Sequence, residues 1–337
     1  MAFDNFVIPE SAISCLLVAL IVAIEQKFPI KSSIDPLSMF RFLCQQMADK
    51  VLPASSVTQK DTNQQYISGA LSAILLIAPV IVIVYLVRSI AALPWLFDAI
   101  VLFVSIQFTR DARVYQQVNN ALENGKKQLA RELLSQNVLR DTAQLSALGI
   151  TKANIESRSL RRVYQQICVI FCFLVFGGVI ALSYRLLFEA SQAWNVKLNR
   201  FARFAYPTHL VCRILQFIPV RAYSILMLGL ASPAQVLPSL KQSFNQTALC
   251  ASHGQFVLYN MSIALKCRLG GSIMYAGEKR RRPRLEMNNA NQNILLAKAP
   301  EPSFEHSLRL SKLENLALAA LVSLLLAYTI MSIVESN

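Results

Sequence analysis

The chain has 337 residues, 54% hydrophobic and 15% charged, with 33 Lys and Arg against 19 Asp and Glu for a formal net charge of +14. Soluble domains carry about 25% charged residues, so this balance excludes an ordinary water-soluble globule. The positive charge lies between apolar blocks rather than on one basic domain, which argues against nucleic acid as a partner and for cationic connectors beside a lipid bilayer.

In chain order, the first apolar run, Ala12 to Ile24, is short for a bilayer core that needs about 20 residues. It has no basic leader and no small-residue cleavage site, and is expected to be a retained span that borrows from Phe6 to Pro9. Ile67 to Val87, interrupted only by Pro79, predicts a full span. A turn at Leu93-Pro94 sends the chain back through Trp95 to Phe108, so the two runs predict a helical hairpin with Asp98 inside it.

From Thr109 to Gln166 the chain turns polar, with ten Lys or Arg against five Asp or Glu. Apolar residues recur there at helical spacing: Val114, Val118, Ala121 and Leu122 in one stripe, Leu129, Leu133 and Leu134 in a second, with Asn124-Gly125 as the stop between them. This predicts an amphipathic αα-hairpin. Ile167 to Phe188 reads as the next span, with Gly177-Gly178 allowing close helix approach in its middle.

A basic, aromatic stretch follows (Trp194, Lys197, Arg200, Arg203, Tyr206), then an apolar run from Ile214 to Ala231 containing Pro219 and Arg221. Pro233 to Glu314 is polar and carries the run Lys279-Arg280-Arg281-Arg282, which suits anionic lipid. Leu316 to Val334 closes the series. The expectation is an all-α, polytopic membrane protein with about four to five transmembrane helices plus amphipathic cytoplasmic helices. It is organised as one membrane domain over 1–337, with a cytoplasmic helical hairpin at 109–166 and a basic cytoplasmic segment at 233–314. The positive-inside bias puts both segments in the cytoplasm, although simple alternation then leaves the basic stretch Phe188 to Arg213 outside.

No phosphate loop, zinc-protease or nucleophile-elbow motif is present, and His209, His253 and His306 are far apart. The seven cysteines form no CxxC pair and are expected to be buried, unreactive thiols; Cys168 and Cys172 share a helix face without further ligands. Asp98 in a span reads either as functional or as an interfacial residue near a helix start, and Arg221 either as an anion-binding group or as a snorkelling side chain. Arg140-Asp141-Thr142 precedes a short helix that Asp141 or Thr142 can cap. Leu148-Gly149 is expected to end that helix and Thr151 to begin another carrying Glu156. Gly270-Gly271, after an amphipathic helix at about Leu258 to Arg268, either let backbone amides approach an anion or form a helix C-cap before a basic loop.

At these residues the chain resembles the CobD/CbiB family of cobalamin biosynthesis, which shares a superfamily with the AmpE membrane proteins. The resemblance runs in order through Asp35-Pro36-Leu37, Ile67-Ser68-Gly69, Arg140-Asp141-Thr142, Glu156-Ser157, Gly177-Gly178 to Tyr184-Arg185, Ile218-Pro219-Val220-Arg221, and Leu269-Gly270-Gly271 with Tyr275 and Gly277.

It implies a multi-pass protein of the bacterial inner membrane, with the bilayer as partner and a homo-oligomer left open. The implied enzyme is a ligase that joins aminopropanol, as its phosphate, to the corrinoid adenosylcobyric acid at the expense of ATP with Mg²⁺. Carried onto this chain, Arg140, Arg185 and Arg221 would clamp phosphate or carboxylate, and Gly270, Gly271 and Tyr275 would line the ligand. Asp141 and Glu156 would act in catalysis and hold Mg²⁺. Two departures stand against this. Leu160-Arg161 and Tyr164-Gln165 fall where the family has an acidic Glu-Asn-x-x-Asp-Gly pattern, and an N-terminal Gly-Asp-Pro motif is missing, with Glu25 the nearby acid. They point to the alternative, a non-catalytic AmpE-like modulator of β-lactamase and cell-wall stress.

Overall fold

The computed structural model describes residues 9–28, 35–52, 62–245, 252–275, 277–280, 282 and 300–336. Phe6 and Arg281, which figure in the expectations above, and Cys250, one of the seven cysteines, lie outside the described residues. The protein is all-α apart from one two-stranded hairpin among the described residues. Its helices group into two compact units.

The first unit comprises the described residues of Met1–Arg110, Gln165–Leu215 and Ala320–Asn337. It contains α1 (Glu10–Lys27), α2 (Pro36–Val51), α3 (Thr62–Ile90) and α4 (Pro94–Ser105). The 29 residues of α3 reach about 43 Å at the helical rise, more than the roughly 30 Å of a hydrocarbon core. The run from Trp95 to Phe108 is shorter than expected as a helix. It stops at Ser105, the backbone turns extended at Ile106, and a new helix starts at Phe108.

Asp98 takes the structural role. Its carboxylate accepts from Nε and Nη2 of Arg88 at 2.9 and 3.0 Å, tying the end of α3 to the start of α4. The expected span at Ile167 to Phe188 is broken. Gly177, at φ +85°, ends one helix, α8 (Cys168–Phe176), and starts another, α9 (Gly178–Ala193). Gly178 does provide the close approach: a Cβ there would lie 2.6 Å from Asp98 Oδ1.

The core of this unit joins Leu37, Phe40, Cys44 and Ala48 of α2 to Ala73 and Ile77 of α3 and to Leu182, Leu186 and Ala190 of α9. Trp194 closes it, stacked edge-to-face on Phe204 with its indole N–H on the Cys44 carbonyl at 2.8 Å. A buried polar chain runs beside it. Glu189, fully buried on α9, accepts from Arg41 at 2.6 Å and pairs with Arg185 one turn earlier at 2.9 Å, while Arg185 Nη1 donates to the Gln165 carbonyl. That carbonyl belongs to a π-helical turn, Arg162–Ile167, where the wider winding releases backbone groups for other partners.

The second unit comprises the described residues of Asp111–Tyr164 and Gln216–Ala319. The expected αα-hairpin forms as α5 (Phe108–Glu123) and α6 (Lys127–Ser135), with Gly125 at φ +70° in the turn. Val118, Ala121, Ala130 and Leu134 pack against Ile150 and Ala153 of α7 (Ala147–Arg161). Leu129 does not share that core and is exposed.

Helix α7 is not divided at Gly149. Ser146 caps it by accepting from the Gly149 amide at 3.1 Å, Gly149 sits in the first turn, and the helix runs on through the π turn into α8. Beyond α10 (Tyr206–Leu215) come α11 (Phe217–Ala231), α12 (Val236–Asn245) and α13 (His253–Leu265). Nearly every residue of α13 is buried, so it is a core helix rather than the amphipathic one expected, and it ends on Lys266 in the left-handed region. Strands β1 (Ile273–Tyr275) and β2 (Glu278–Arg280) pair antiparallel.

The last helix, α14 (Phe304–Ser336), docks its polar N-terminal part through Ser307 on Asn119 at 2.6 Å and Glu314 on Arg158 at 2.8 Å. Three described helices are long and apolar enough to cross a membrane: Asn63–Ile90, Ala147–Phe176 and Phe304–Glu335. The pair α10 and α11, bent by 53°, makes four if it is one span. The architecture is therefore that of an all-α polytopic membrane protein. The six described cysteines are all buried and unbridged.

Candidate functional site

Six of the eight residues singled out above converge in the second unit. Glu156, one and a half turns before the end of α7, is only 2% exposed. Its carboxylate gathers donors from three separate segments. Arg140, ahead of α7, brings Nη1 to 3.2 Å of Oε2; Arg282, after β2, brings Nη2 to 2.9 Å of the same oxygen; and the Gly270 amide donates to Oε1 at 2.8 Å. Buried charge is tolerated only with such full pairing.

Glycine is needed at 270 and 271 because both hold φ near +80 to +90°, at 80° and 92°, a region costly for residues with a Cβ. This turn aims the Gly270 N–H at Glu156. The expected C-cap role falls instead to Lys266.

Asp141 is bound to the hairpin at two points. Its amide donates to the Met274 carbonyl at 3.0 Å, and its Oδ2 accepts from the Gly277 amide at 2.8 Å. Its side chain remains exposed. Tyr275, buried in β1, lies in the field of Arg140. Burial pulls the Arg140 guanidinium below its ordinary value, and neighbouring Glu156 opposes that shift.

Arg221 and Arg185 are placed elsewhere. Arg221 lies over the Phe217 ring at 3.7 Å, donates to the Phe217 carbonyl and meets His253 Nδ1 at 3.3 Å. Arg185 belongs to the first unit and pairs with Glu189.

Two participants were missed. Arg282 was read with the lipid-facing basic run, but it pairs with Glu156 and donates to the Gly271 carbonyl at 3.2 Å. Lys152 stands one turn before Glu156 on α7, and its Nζ would be 3.8 Å from a Cβ built on Gly271. The i, i+4 spacing of Lys152 and Glu156 was a signal for the lysine; nothing local marked Arg282.

The donor set suits an anion. A Mg²⁺ ion at Glu156 would meet two guanidiniums at hydrogen-bonding range, so Asp141 and Glu156 do not fit as a metal pair. Among the described residues, no group of three or more His, Cys, Asp or Glu could hold a metal.

The family model for CobD/Cbib protein matches residues 17–299. The cobalamin biosynthesis protein CobD of Chromobacterium violaceum is 28% identical over 224 residues, 64% of this chain and 69% of that protein. The protein of the same name from Stutzerimonas stutzeri is 25% identical over 225 residues, 66% of this chain and 73% of that one. That from Yersinia enterocolitica is 26% identical over 212 residues, 62% and 65%. No solved structure is significantly similar. With most of its length matched by the family model, including the segments that surround Glu156, the chain belongs to the CobD/CbiB family.

Proposed function

We propose that the protein acts in cobalamin biosynthesis, joining aminopropanol, as its phosphate, to the carboxylate of adenosylcobyric acid by ATP-dependent amide formation. One observation carries the reading: Arg140, Arg282 and the Gly270 amide, remote in the chain, meet at Glu156 as a cationic cluster, with Asp141 held beside it on the Gly277 amide. Amide formation of this kind requires a carboxylate activated by phosphoryl transfer and an amine held against it, and both substrates bring anionic groups to be neutralised and oriented.

Arg140 and Arg282 supply that neutralisation, and the Gly270 amide adds direction. Asp141, with one oxygen on the Gly277 amide, keeps the other for the proton that the amine loses on attack. ATP and Mg²⁺ are the co-reactants the resemblance implies. No residue here is assigned to the metal.

The test is complementation of a bacterial strain unable to make adenosylcobinamide phosphate. Growth with the intact chain and failure with Asp141→Asn, at equal membrane abundance, is the expected result. No growth with the intact chain, despite verified expression, would overturn the reading. It would favour the second one, an AmpE-like modulator, for which the closed pairing of Glu156 and the presence of Leu160 and Tyr164 in place of acids speak. The same reading places the protein in the bacterial inner membrane with its basic segments cytoplasmic, which protease accessibility in spheroplasts tests directly.

A further inference from the structure

We propose that Lys197 and Arg213, with His209 beside them, bind the phosphodiester headgroup of an anionic phospholipid at one face of the bilayer. The proposal rests on the chain being a membrane protein and is independent of the ligase reading.

The path of the chain in the first unit carries the argument. Helices α8 and α9 form an antiparallel hairpin that turns at Gly177: Arg185 of α9 donates to the Gln165 carbonyl just ahead of α8 at 3.3 Å, and Tyr184 meets the Cys168 thiol. The turn sits at the level of Asp98, where a Cβ on Gly178 would lie 2.6 Å from Oδ1, and Asp98 is tied to Arg88 at the end of α3. Gly69 marks the opposite end of α3, closely packed on the Phe204 carbonyl. The stretch of α3 from Gly69 to Arg88 measures about 28 Å at the helical rise, close to the roughly 30 Å of a hydrocarbon core. Counting Ile167 to Phe188 as a single span sends the next segment to the far side of the membrane. The hairpin instead returns it to the side from which α8 starts, so Phe204 lies one hydrocarbon thickness from the Arg88–Asp98 apex. Helix α10 begins there, with Tyr206 edge-to-face on Tyr66 of α3.

Charge and exposure then select the occupant. From Ala190 to Leu215 the chain holds Lys197, Arg200, Arg203 and Arg213 and no Asp or Glu. Arg200 is engaged by Asp49 at 2.8 Å. Lys197 and Arg213, both exposed, lie within electrostatic reach of the same imidazole, His209. On α10 the exposed residues Tyr206, His209, Leu210, Arg213 and Ile214 recur at spacings of three and four and share one face, while Thr208 and Cys212 turn inward. Ionisable side chains of membrane helices almost always face the bundle interior. An arginine on the same outer face as Leu210 and Ile214 instead reaches along the helix to the headgroup layer, where Lys197 adds a second cation and Tyr206 an amphipathic ring. Two cations on a segment without acids match the net negative charge of an anionic headgroup, whereas the choline of a zwitterionic lipid cancels the charge of its own phosphate.

The test is native mass spectrometry of the full-length protein in maltoside micelles, titrated with phosphatidylglycerol and, separately, with phosphatidylcholine. The intact chain is expected to retain phosphatidylglycerol about tenfold more tightly. Arg213→Gln and Lys197→Gln are each expected to weaken phosphatidylglycerol binding about fivefold, the effect of one basic residue beside anionic lipid, and to leave phosphatidylcholine binding unchanged. Equal retention of the two lipids by the intact chain would overturn the proposal, and so would either variant holding phosphatidylglycerol as well as the intact chain does. A loss that touches both lipids alike would overturn it too, because the headgroup charge would then be irrelevant.

A second measurement addresses the hairpin. Ser89→Cys at the apex and Asn199→Cys in the basic segment, both at exposed positions, are labelled with a membrane-impermeant maleimide in spheroplasts and in inverted vesicles. Labelling from opposite sides supports the placement, whichever side is cytoplasmic, and labelling from the same side overturns it together with the lipid site. Lipid preference with these signs but no complementation would remove the ligase reading and leave this one. Complementation without any lipid preference would do the reverse.

Discussion

Arg282 places its Nη2 2.9 Å from Oε2 of Glu156, a residue 126 positions earlier in the chain. The contact joins the segment after the β-hairpin to α7, and it makes a residue of the basic run part of an interior ion cluster. Together with Arg140 and the Gly270 amide it shows that Glu156 ties three segments of the second unit together.

The first prediction concerns stability. Glu156→Ala strands two guanidiniums and an amide that are otherwise satisfied, and breaking a buried pair of this kind costs about 3–5 kcal/mol. Thermal unfolding in detergent should show a large drop in midpoint. The double variant Glu156→Gln with Arg282→Gln should recover a substantial part of it, because one unpaired cation is removed. Equal destabilisation in both would mean that the ion pair is not what holds the segments.

A second prediction follows from close packing in the first unit. A Cβ at Gly69 on α3 would run into the carbonyl of Phe204, which is backbone and cannot swing away. Gly69→Ala should therefore destabilise the protein by about 1–3 kcal/mol, the usual cost of overpacking. At Gly125 a Cβ meets nothing within 4 Å, but the φ of +70° resists an L side chain. Gly125→Ala should cost about 1 kcal/mol, from backbone strain alone. Guanidinium titrations of the two variants check the ranking, and a milder effect at Gly69 would contradict the packing.

A third prediction addresses the tip of the α3–α4 hairpin. Removing the carboxylate in Asp98→Ala leaves Arg88 without its bidentate partner, and hydrogen bonds to charged groups contribute about 1.5–3 kcal/mol. Asp98→Asn should retain part of that. Neither should abolish complementation at equal membrane abundance, because the Asp98 carboxylate serves to tie α4 to α3 through Arg88. Loss of complementation at equal abundance would reassign it to function.

The fourth concerns thiol chemistry. Burial pushes the Cys267 thiol up to about 12. At pH 8 about one thiol in ten thousand is then ionised, and the thiolate is the reactive species. Maleimide labelling of the folded protein at this position should be slow and should accelerate on unfolding. Rapid labelling of Cys267 in the native state would show that the segment after α13 opens readily.

Much of this architecture was legible in the sequence. A long apolar run such as Ile67 to Val87 has one good solution in a bilayer, a helix with all backbone groups paired internally, whatever its neighbours do. The two stripes, one through Val118 and Ala121 and one through Leu133 and Leu134, likewise dictate an amphipathic hairpin, because helical periodicity is local. Breaks were less legible. Gly149 and Gly177 look alike as punctuation, yet Gly149 lies within a capped first turn while Gly177 ends its helix at positive φ. That choice depended on what each helix could pack against.

By itself, the chain of amino acids determined the long apolar helices at Thr62–Ile90 and Phe304–Ser336 and the polar hairpin, and the family resemblance it carries grouped Arg140, Asp141, Glu156, Gly270, Gly271 and Tyr275 as candidates. Only the tertiary structure decided that Arg282 and Lys152 join them, that Arg221 settles on an aromatic ring, and that Arg185 pairs with Glu189. The reason is physical. Helix formation and apolar burial follow from neighbouring residues, whereas a buried charge takes whichever opposite charge the path of the backbone brings within about 4 Å, and that distance is not written in the local sequence.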